Sequence, residues 1–293
     1  MSKNYIQLLP VSDKIKVMDQ FGRLPLSIME FKNTSKWDCA YFDQDKSEQR
    51  RSEEAEYLPG LGMSEFASEV ADFVLKYWSM KHSIVVDPFA GRATRAVIST
   101  KLNRQYYGYE ISKLTYDRSI EHFKKLNILP HLFLEDGCLM KQTPDDFAHL
   151  IFSCPPYYNL EKYEEVDSQL SSLKTYDDFL KRIVVCAENI KRVMKPGAFC
   201  CWVCADWRDS NGFRQFSNDS INIFKSVGLI PHDDVIIKNN SPFASLMCYK
   251  VACKRITAKT HERLLVFRKE GQLDLTGLEK DDFNETSSGF IDF

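Results

Sequence analysis

Leu150-Ile-Phe-Ser-Cys154-Pro155-Pro156-Tyr157-Tyr158-Asn159 joins an apolar run to two prolines and two aromatic rings. Ala148 to Ser153 reads as a short buried strand. Proline has no N–H to give a sheet ladder, so two in succession stop the strand. They also hold the backbone extended beyond its end, leave carbonyl oxygens available and set Tyr157 at a fixed position. In open α/β sheets, ligands bind just past the carboxyl ends of the strands. A stiff turn carrying an aromatic face at that edge suits a flat ring. The plainer reading is a strand terminator whose tyrosines cover the core.

Outward from this stretch, strands and helices alternate. Upstream, Phe66, Val70, Phe73, Val74 and Tyr77 repeat at helical spacing behind Ser64, a candidate cap. Strands follow at Ser83 to Asp87, Gln105 to Glu110 and His131 to Leu134, with helices to about Leu102 and over Lys113 to Leu126 between them. Downstream, Thr175-Tyr-Asp-Asp178 forms a capping box for a helix to Met194, which Lys195-Pro-Gly197 is expected to stop. Phe199 to Ala205, Asp233 to Lys238 and Glu262 to Lys269 read as strands, and Phe216 to Val227 as a helix closed by Gly228. This alternation predicts an α/β fold, a mostly parallel sheet covered on both faces. Only a loop or irregular insertion separates the final two strands, so one of them runs antiparallel.

Val85-Val-Asp87-Pro88-Phe89-Ala-Gly91 is the second informative stretch. A strand that enters a glycine turn and then a helix aims backbone N–H groups at whatever occupies the strand end. Gly91 allows close approach of the backbone. Asp87 is ill suited to a pyrophosphate and favours a cationic guest. Glu110 ends the next strand about 20 residues on, where an acid accepts from ribose hydroxyls. Asp136, beside Gly137, ends the third strand, where it would receive an adenine amino group. Taken singly, each acid is an ordinary turn residue. Their ordered recurrence describes a site for an adenosine bearing a positive centre, which is S-adenosylmethionine.

Asp87-Pro-Phe-Ala-Gly91 together with Cys154-Pro-Pro-Tyr157 resembles the class I methyltransferases. More narrowly, it is similar to the DNA amino-methyltransferases that modify adenine or cytosine at the exocyclic nitrogen. Lys259-Thr-His-Glu-Arg-Leu-Leu-Val-Phe267 resembles the closing strand of phage-encoded and restriction-type members. The likeness covers roughly residues 60 to 270. It implies a three-layer fold with a seven-stranded, mostly parallel sheet whose last strand is antiparallel. It also implies that Asp87, Pro88, Phe89 and Gly91 line the methionine end of the cofactor, Glu110 binds the ribose, and Asp136 with Gly137 binds the adenine. Tyr157 would stack on the target base and the Cys154 and Pro155 carbonyls would accept the amino protons, with Pro156 stiffening the turn. The family usually has Asp, Asn or Ser before the two prolines, and this chain has Cys154. A thiolate attack as in carbon-5 methylation lacks an activating His or Lys beside it in sequence. Ala93 stands where the family's loop often has a second glycine. Its methyl is expected to crowd the cofactor slightly, with Thr94 available to cap. The expected substrate is DNA, adenine ahead of cytosine; RNA, a protein glutamine or a catalytically silent binding domain are the alternatives.

The formal net charge of −2 carries no global basic signature, so a nucleic-acid partner must be held by a local patch. Lys250, Lys254, Arg255 and Lys259, interleaved with Phe243, Met247 and Tyr249, form one candidate, and Tyr158 is a further substrate contact. Trp207-Arg208-Asp209, just after the fifth strand, falls at the same sheet edge. The nine cysteines are an odd number, and several lie in apolar runs, which favours reduced core thiols. For Cys201-Trp-Val-Cys204 that reading outweighs a metal site, because no second pair accompanies it. Residues 1–60 read as an N-terminal arm and linker, 61–270 as the methyltransferase domain with a small insertion near 241–260, and 271–293 as an acidic disordered tail. The chain has no apolar run of membrane-spanning length and no signal-peptide core near Met1. The expectation is a cytoplasmic monomer or homodimer, in a host cytoplasm if phage-encoded.

Overall fold

The computed structural model describes Arg23 and residues 25–31, 66–158, 170–238, 251–252 and 254–281. Its frame follows from the apolar runs. Strand β5 (Ala148–Ser153) is buried along its whole length, which requires cover on both faces. Its neighbours β2 (Ile84–Asp87) and β6 (Met194–Cys204) are nearly as apolar. Side chains alternate between the two faces. Val86, Ile151, Cys200 and Trp202 join one core layer; Val85, Leu150, Phe152, Cys201 and Val203 join the other.

Among the described residues, five helices supply the cover. Helices α1 (Ser68–Trp78), α2 (Thr94–Lys101) and α3 (Lys113–Leu126) pack on the second layer. Helices α4 (Tyr176–Val193) and α5 (Phe216–Ser226) pack on the first. In α4, Phe179, Ile183, Cys186, Ala187, Ile190 and Val193 recur at helical spacing and are all buried. Burying each large one contributes about 1.5–3 kcal/mol relative to leaving it in water. Thr175 Oγ1 accepts from the Asp178 N–H and starts this helix where the capping box places it. Ser64 lies outside the described residues.

The remaining strands are β1 (Ile28–Glu30), β3 (Gln105–Glu110), β4 (His131–Leu134), β9 (Ile230–Lys238) and β10 (His261–Arg268), with a separate hairpin of β7 (Trp207–Asp209) and β8 (Gly212–Arg214). The main sheet runs β1-β9-β10-β6-β5-β2-β3-β4. Strand β10 lies antiparallel between β6 and β9; all other pairs are parallel. The three-layer fold with one antiparallel strand is therefore present, but the sheet has eight strands rather than seven. The added one comes from the expected arm: Met29 is buried between exposed Ile28 and Glu30, and Lys238 pairs with Glu30 at 3.1 Å. Residues 195–197 do not form a separate stop. The chain passes straight from α4 into β6, whose pairing with β5 slips between Ala148 and Leu150.

Nor does the chain leave the body at residue 271. Leu273 is buried, Lys81 and Glu279 pair through their backbones, and Asp281 forms an ion pair with the buried Arg104. The acidic segment is held through Asp281, and residues 282–293 lie outside the described set. No described helix is long and apolar enough to cross a membrane. The sheet order reverses between β2 and β5, and this reversal positions the site.

Candidate active site

Strands β2 and β5 pair in parallel, Val85 with Leu150 and Val86 with Ile151, so they end at the same level. Their ends are joined directly, because Ser153 Oγ–H donates to Asp87 Oδ1. The Gly91 turn and the Pro155 turn therefore leave adjacent strands at one rim, which is the crevice of an open α/β sheet.

Asp87 is fully buried and is the hub of that rim. Besides Ser153, it accepts from the Phe89 N–H at 3.0 Å, Arg95 Nε at 2.7 Å and the Tyr106 hydroxyl at 2.7 Å. A carboxylate offers about four acceptor sites, so internal donors fill its capacity. The cation that Asp87 faces in this structure is the protein's own Arg95. Arg95, 4% exposed, also donates to the Phe89 carbonyl at 2.6 Å and lies over the Phe66 ring at 4.7 Å. Burial alone would lower its pKa, but Asp87 and Tyr106 reverse that and raise it. Burial and Asp87 both push the Tyr106 phenol well up, so it stays a donor. Nothing in helical periodicity marks Arg95 as a partner of Asp87. The one available signal is a lone arginine among apolar residues of α2.

The turn after β2 has Pro88 buried and Phe89 half-buried, edge-on to Trp202 at 6.1 Å. Gly91 takes φ +55°, and its N–H donates to Glu110 Oε2 at 3.0 Å, while the Ser112 N–H donates to Oε1 at 2.7 Å. Burial pushes the Glu110 carboxyl up to about 7. The Ser112 and Gly91 N–H groups pull it down, and Asp87 adds to the rise. After β4, Gly137 touches the first turn: a Cβ there would come within 1.7 Å of the Pro88 carbonyl, so only glycine fits. Asp136 accepts from the Cys138 N–H at 2.9 Å and pairs with Arg182 of α4. No sequence pattern pointed to Arg182, which lies 46 residues away.

On the other side, β5 ends at Ser153 and the prolines follow, Pro155 buried and Pro156 half-buried. Cys154 is a partly buried thiol. The Tyr157 ring meets Trp207 edge-on at 5.5 Å, and its hydroxyl donates to Glu262 Oε1 at 3.3 Å. Glu262, on the antiparallel strand, is a third residue that the sequence pattern did not mark. Tyr158 turns into the core. It is 8% exposed, packs on Tyr176 and Phe179, and donates to the Lys174 carbonyl at 3.0 Å. Consecutive side chains diverge in extended chain, so Tyr158 enters the core as Tyr157 lines the rim.

Lys254 and Arg255 sit on an exposed turn, and Lys259 is exposed over Phe213 at 4.7 Å. Lys250, Phe243, Met247 and Tyr249 lie outside the described residues. Cys200, Cys201 and Cys204 are fully buried, and burial raises all three thiols.

The family model described as DNA methylase, for N6 and N4 methyltransferases, matches residues 26–121 and 148–287, more than half of the chain. No curated protein matches the sequence. Among solved structures, the (4+2)-cyclase SpnF superposes with a TM-score of 0.51 at 12% identity, over 70% of this chain and 82% of that one. A geranyl diphosphate methyltransferase in complex with GPP and sinefungin gives 0.50 at 12% identity, over 69% and 77%. A methyltransferase from Pyrococcus furiosus gives 0.48 at 16% identity, over 77% and 99%. At these identities the first two speak to fold alone, and a cyclase beside a methyltransferase shows that one fold hosts different reactions.

Proposed function

The chain belongs to the N6/N4 DNA methylase family and is an S-adenosylmethionine-dependent DNA amino-methyltransferase; on that premise we propose that it methylates the exocyclic nitrogen of adenine at the rim between β2 and β5. The observation that carries the placement is the Ser153–Asp87 hydrogen bond, which ties the cofactor turn to the Pro-Pro-Tyr turn.

The residues present fit the cofactor. Glu110 is a half-buried carboxylate with one backbone donor on each oxygen, which leaves acceptor sites for a ribose diol. Gly137 packs against the Pro88 carbonyl, where a Cβ would clash, and Gly91 turns the backbone at φ +55°, so the two glycines shape the turn that would hold the cofactor. Asp87 acts at one remove: it holds Arg95, Tyr106 and Ser153 in place and so shapes the turn. When bound, S-adenosylmethionine supplies an electrophilic methyl on a sulfonium.

The protein's share of the chemistry is positioning. An aromatic amine is a poor nucleophile because its lone pair is delocalised into the ring. The Cys154 and Pro155 carbonyls accept the amino protons and favour a pyramidal nitrogen with its lone pair turned toward the methyl. Tyr157 stacks on the base, which must leave the duplex, and offsets part of the cost of unstacking. Trp207 and Glu262 fix the orientation of that ring.

The test is incubation with methyl-labelled S-adenosylmethionine and DNA, RNA or protein, followed by mass spectrometry of nucleosides and amino acids. N6-methyladenine in DNA is expected. Label on cytosine corrects the base, and label absent from DNA overturns the reading. Cys154→Ser keeps turnover under amine chemistry and abolishes it under thiolate attack.

A further inference from the structure

The β7–β8 hairpin leaves the end of β6 at the same rim and has two faces. Cross-strand partners alternate, with Trp207 opposite Arg214, Arg208 opposite Phe213 and Asp209 opposite Gly212. The inner pair is engaged. Trp207 is buried against Tyr157, and Arg214 lies over Tyr176 at 4.7 Å while bonded to Asp209 at 2.8 Å. The outer pair is not. Phe213 is 42% exposed, and two exposed cations lie against its ring: Arg208 Cζ and Lys259 Nζ, each 4.7 Å from the centroid.

Charge separates these two cations from their neighbours. Arg214 is neutralised by Asp209 and Arg263 by Asp234. Among the described residues, neither Arg208 nor Lys259 has a carboxylate within ion-pair distance. Two cations held at one exposed ring repel each other, and bound anions relieve that repulsion. The chain carries a net charge of −2, so affinity for a polyanion has to come from such a patch. The tip is stiff as well: the Asn211 N–H donates to Asp209 Oδ1 at 2.8 Å, which closes a two-residue turn.

From this geometry we infer that the outer face of the hairpin, with Lys259, is a docking surface for double-stranded DNA. Arg208 and Lys259 hold phosphates beside the target nucleotide. Phe213 stacks on the base surface exposed when that nucleotide turns out toward Tyr157. The sheet rim holds the target, and the hairpin holds the duplex it came from. The inference rests on the proposed function and extends it to the partner's grip.

The test uses the full chain and a fluorescein-labelled mixed-sequence duplex, alone and with one mispaired adenine, read by anisotropy over a series of salt concentrations. S-adenosylmethionine affinity by equilibrium dialysis reports that each variant is folded. Arg208→Gln with Lys259→Gln is expected to weaken duplex binding by roughly tenfold or more and to lower the salt slope by about two phosphate contacts. Phe213→Ala is expected to weaken binding roughly fivefold to a hundredfold at unchanged slope, because it removes stacking and no charge. Cofactor affinity should stay constant in both. Variants that bind the duplex as the parent does, at the same slope, overturn the inference, as does a parent that binds no duplex or binds single-stranded RNA more tightly. The two readings separate cleanly. A parent that methylates DNA while the variants match it sinks the hairpin alone. Losses on these variants without methyl transfer by the parent sink the reaction and leave the hairpin standing.

Discussion

At the ends of β2, β3 and β4, the three acids named from the sequence are already engaged: Asp87 by four internal donors, Glu110 by two backbone N–H groups, Asp136 by Arg182 and the Cys138 N–H. At the ends of β5 and β6, aromatic rings meet edge to face, and the outermost cations, Arg208 and Lys259, have no carboxylate partner among the described residues. The side proposed for the cofactor is built before a ligand arrives. The side proposed for nucleic acid keeps charge in reserve for a partner that brings its own. A small, invariant ligand rewards preorganisation, whereas a polyanion is attracted by cations that nothing else has neutralised.

The contrast breaks first, and by the largest margin, at Asp87. Asp87→Ala leaves Arg95 buried without its carboxylate, a loss of about 3–5 kcal/mol for a buried pair cut on one side. Chemical denaturation should show that loss and S-adenosylmethionine binding should fall with it. An unchanged midpoint would mean that the cofactor side is not locked as described.

Tyr157→Ala should do the opposite. Stability and cofactor affinity stay near the parent values while turnover on DNA drops by roughly a hundredfold, in line with a lost stacking partner. Tyr157→Phe keeps the ring and removes only the Glu262 hydrogen bond, so its loss should be several-fold. Full activity in Tyr157→Ala would remove the tyrosine from the site.

Glu110 gives a smaller effect with a definite sign. Its carboxyl sits at about 7 in the folded protein, against 4.5 as its ordinary value. The native state therefore takes up this proton first, and the ligand-free protein gains stability as pH falls from about 7 toward 4.5. Ribose hydroxyls need the ionised form, so S-adenosylmethionine affinity should rise roughly tenfold from one unit below to one unit above the Glu110 midpoint. Calorimetric titration across that range checks it. Glu110→Gln should bind more weakly with a flat profile; a flat profile in the parent assigns the ribose to another group.

Legibility in the sequence follows the same division. The alternating sheet was readable because β5, β6 and their helices carry long runs with a clear period, and the two prolines mark where β5 ends. Strand β1 was not, since three residues after a proline give no period to count. The acids were readable as strand ends, but their partners were not: Arg95, Tyr106 and Ser153 stand 8, 19 and 66 residues from Asp87 and meet it only through the tertiary fold. Nor was the burial of Tyr158 readable, because a pair of tyrosines does not say which one turns inward.

Ala93 offers the finest test of how tightly the cofactor side is drawn. It occupies the position before α2 with φ +66°, a region that costs a non-glycine residue roughly 1–2 kcal/mol. Its methyl is fully buried in the core layer shared with α1 and α2, and Thr94 is the first helical residue rather than the cap. Ala93→Gly relieves the backbone strain but gives up one buried methyl, worth about 0.8 kcal/mol. The strain term is the larger, so the variant should gain a few tenths of a kcal/mol, read as a small upward shift in the denaturation midpoint. Its S-adenosylmethionine affinity should not change. Tighter binding would mean that the methyl presses on the cofactor after all, and that the turn between β2 and α2 is looser than its hydrogen bonds imply.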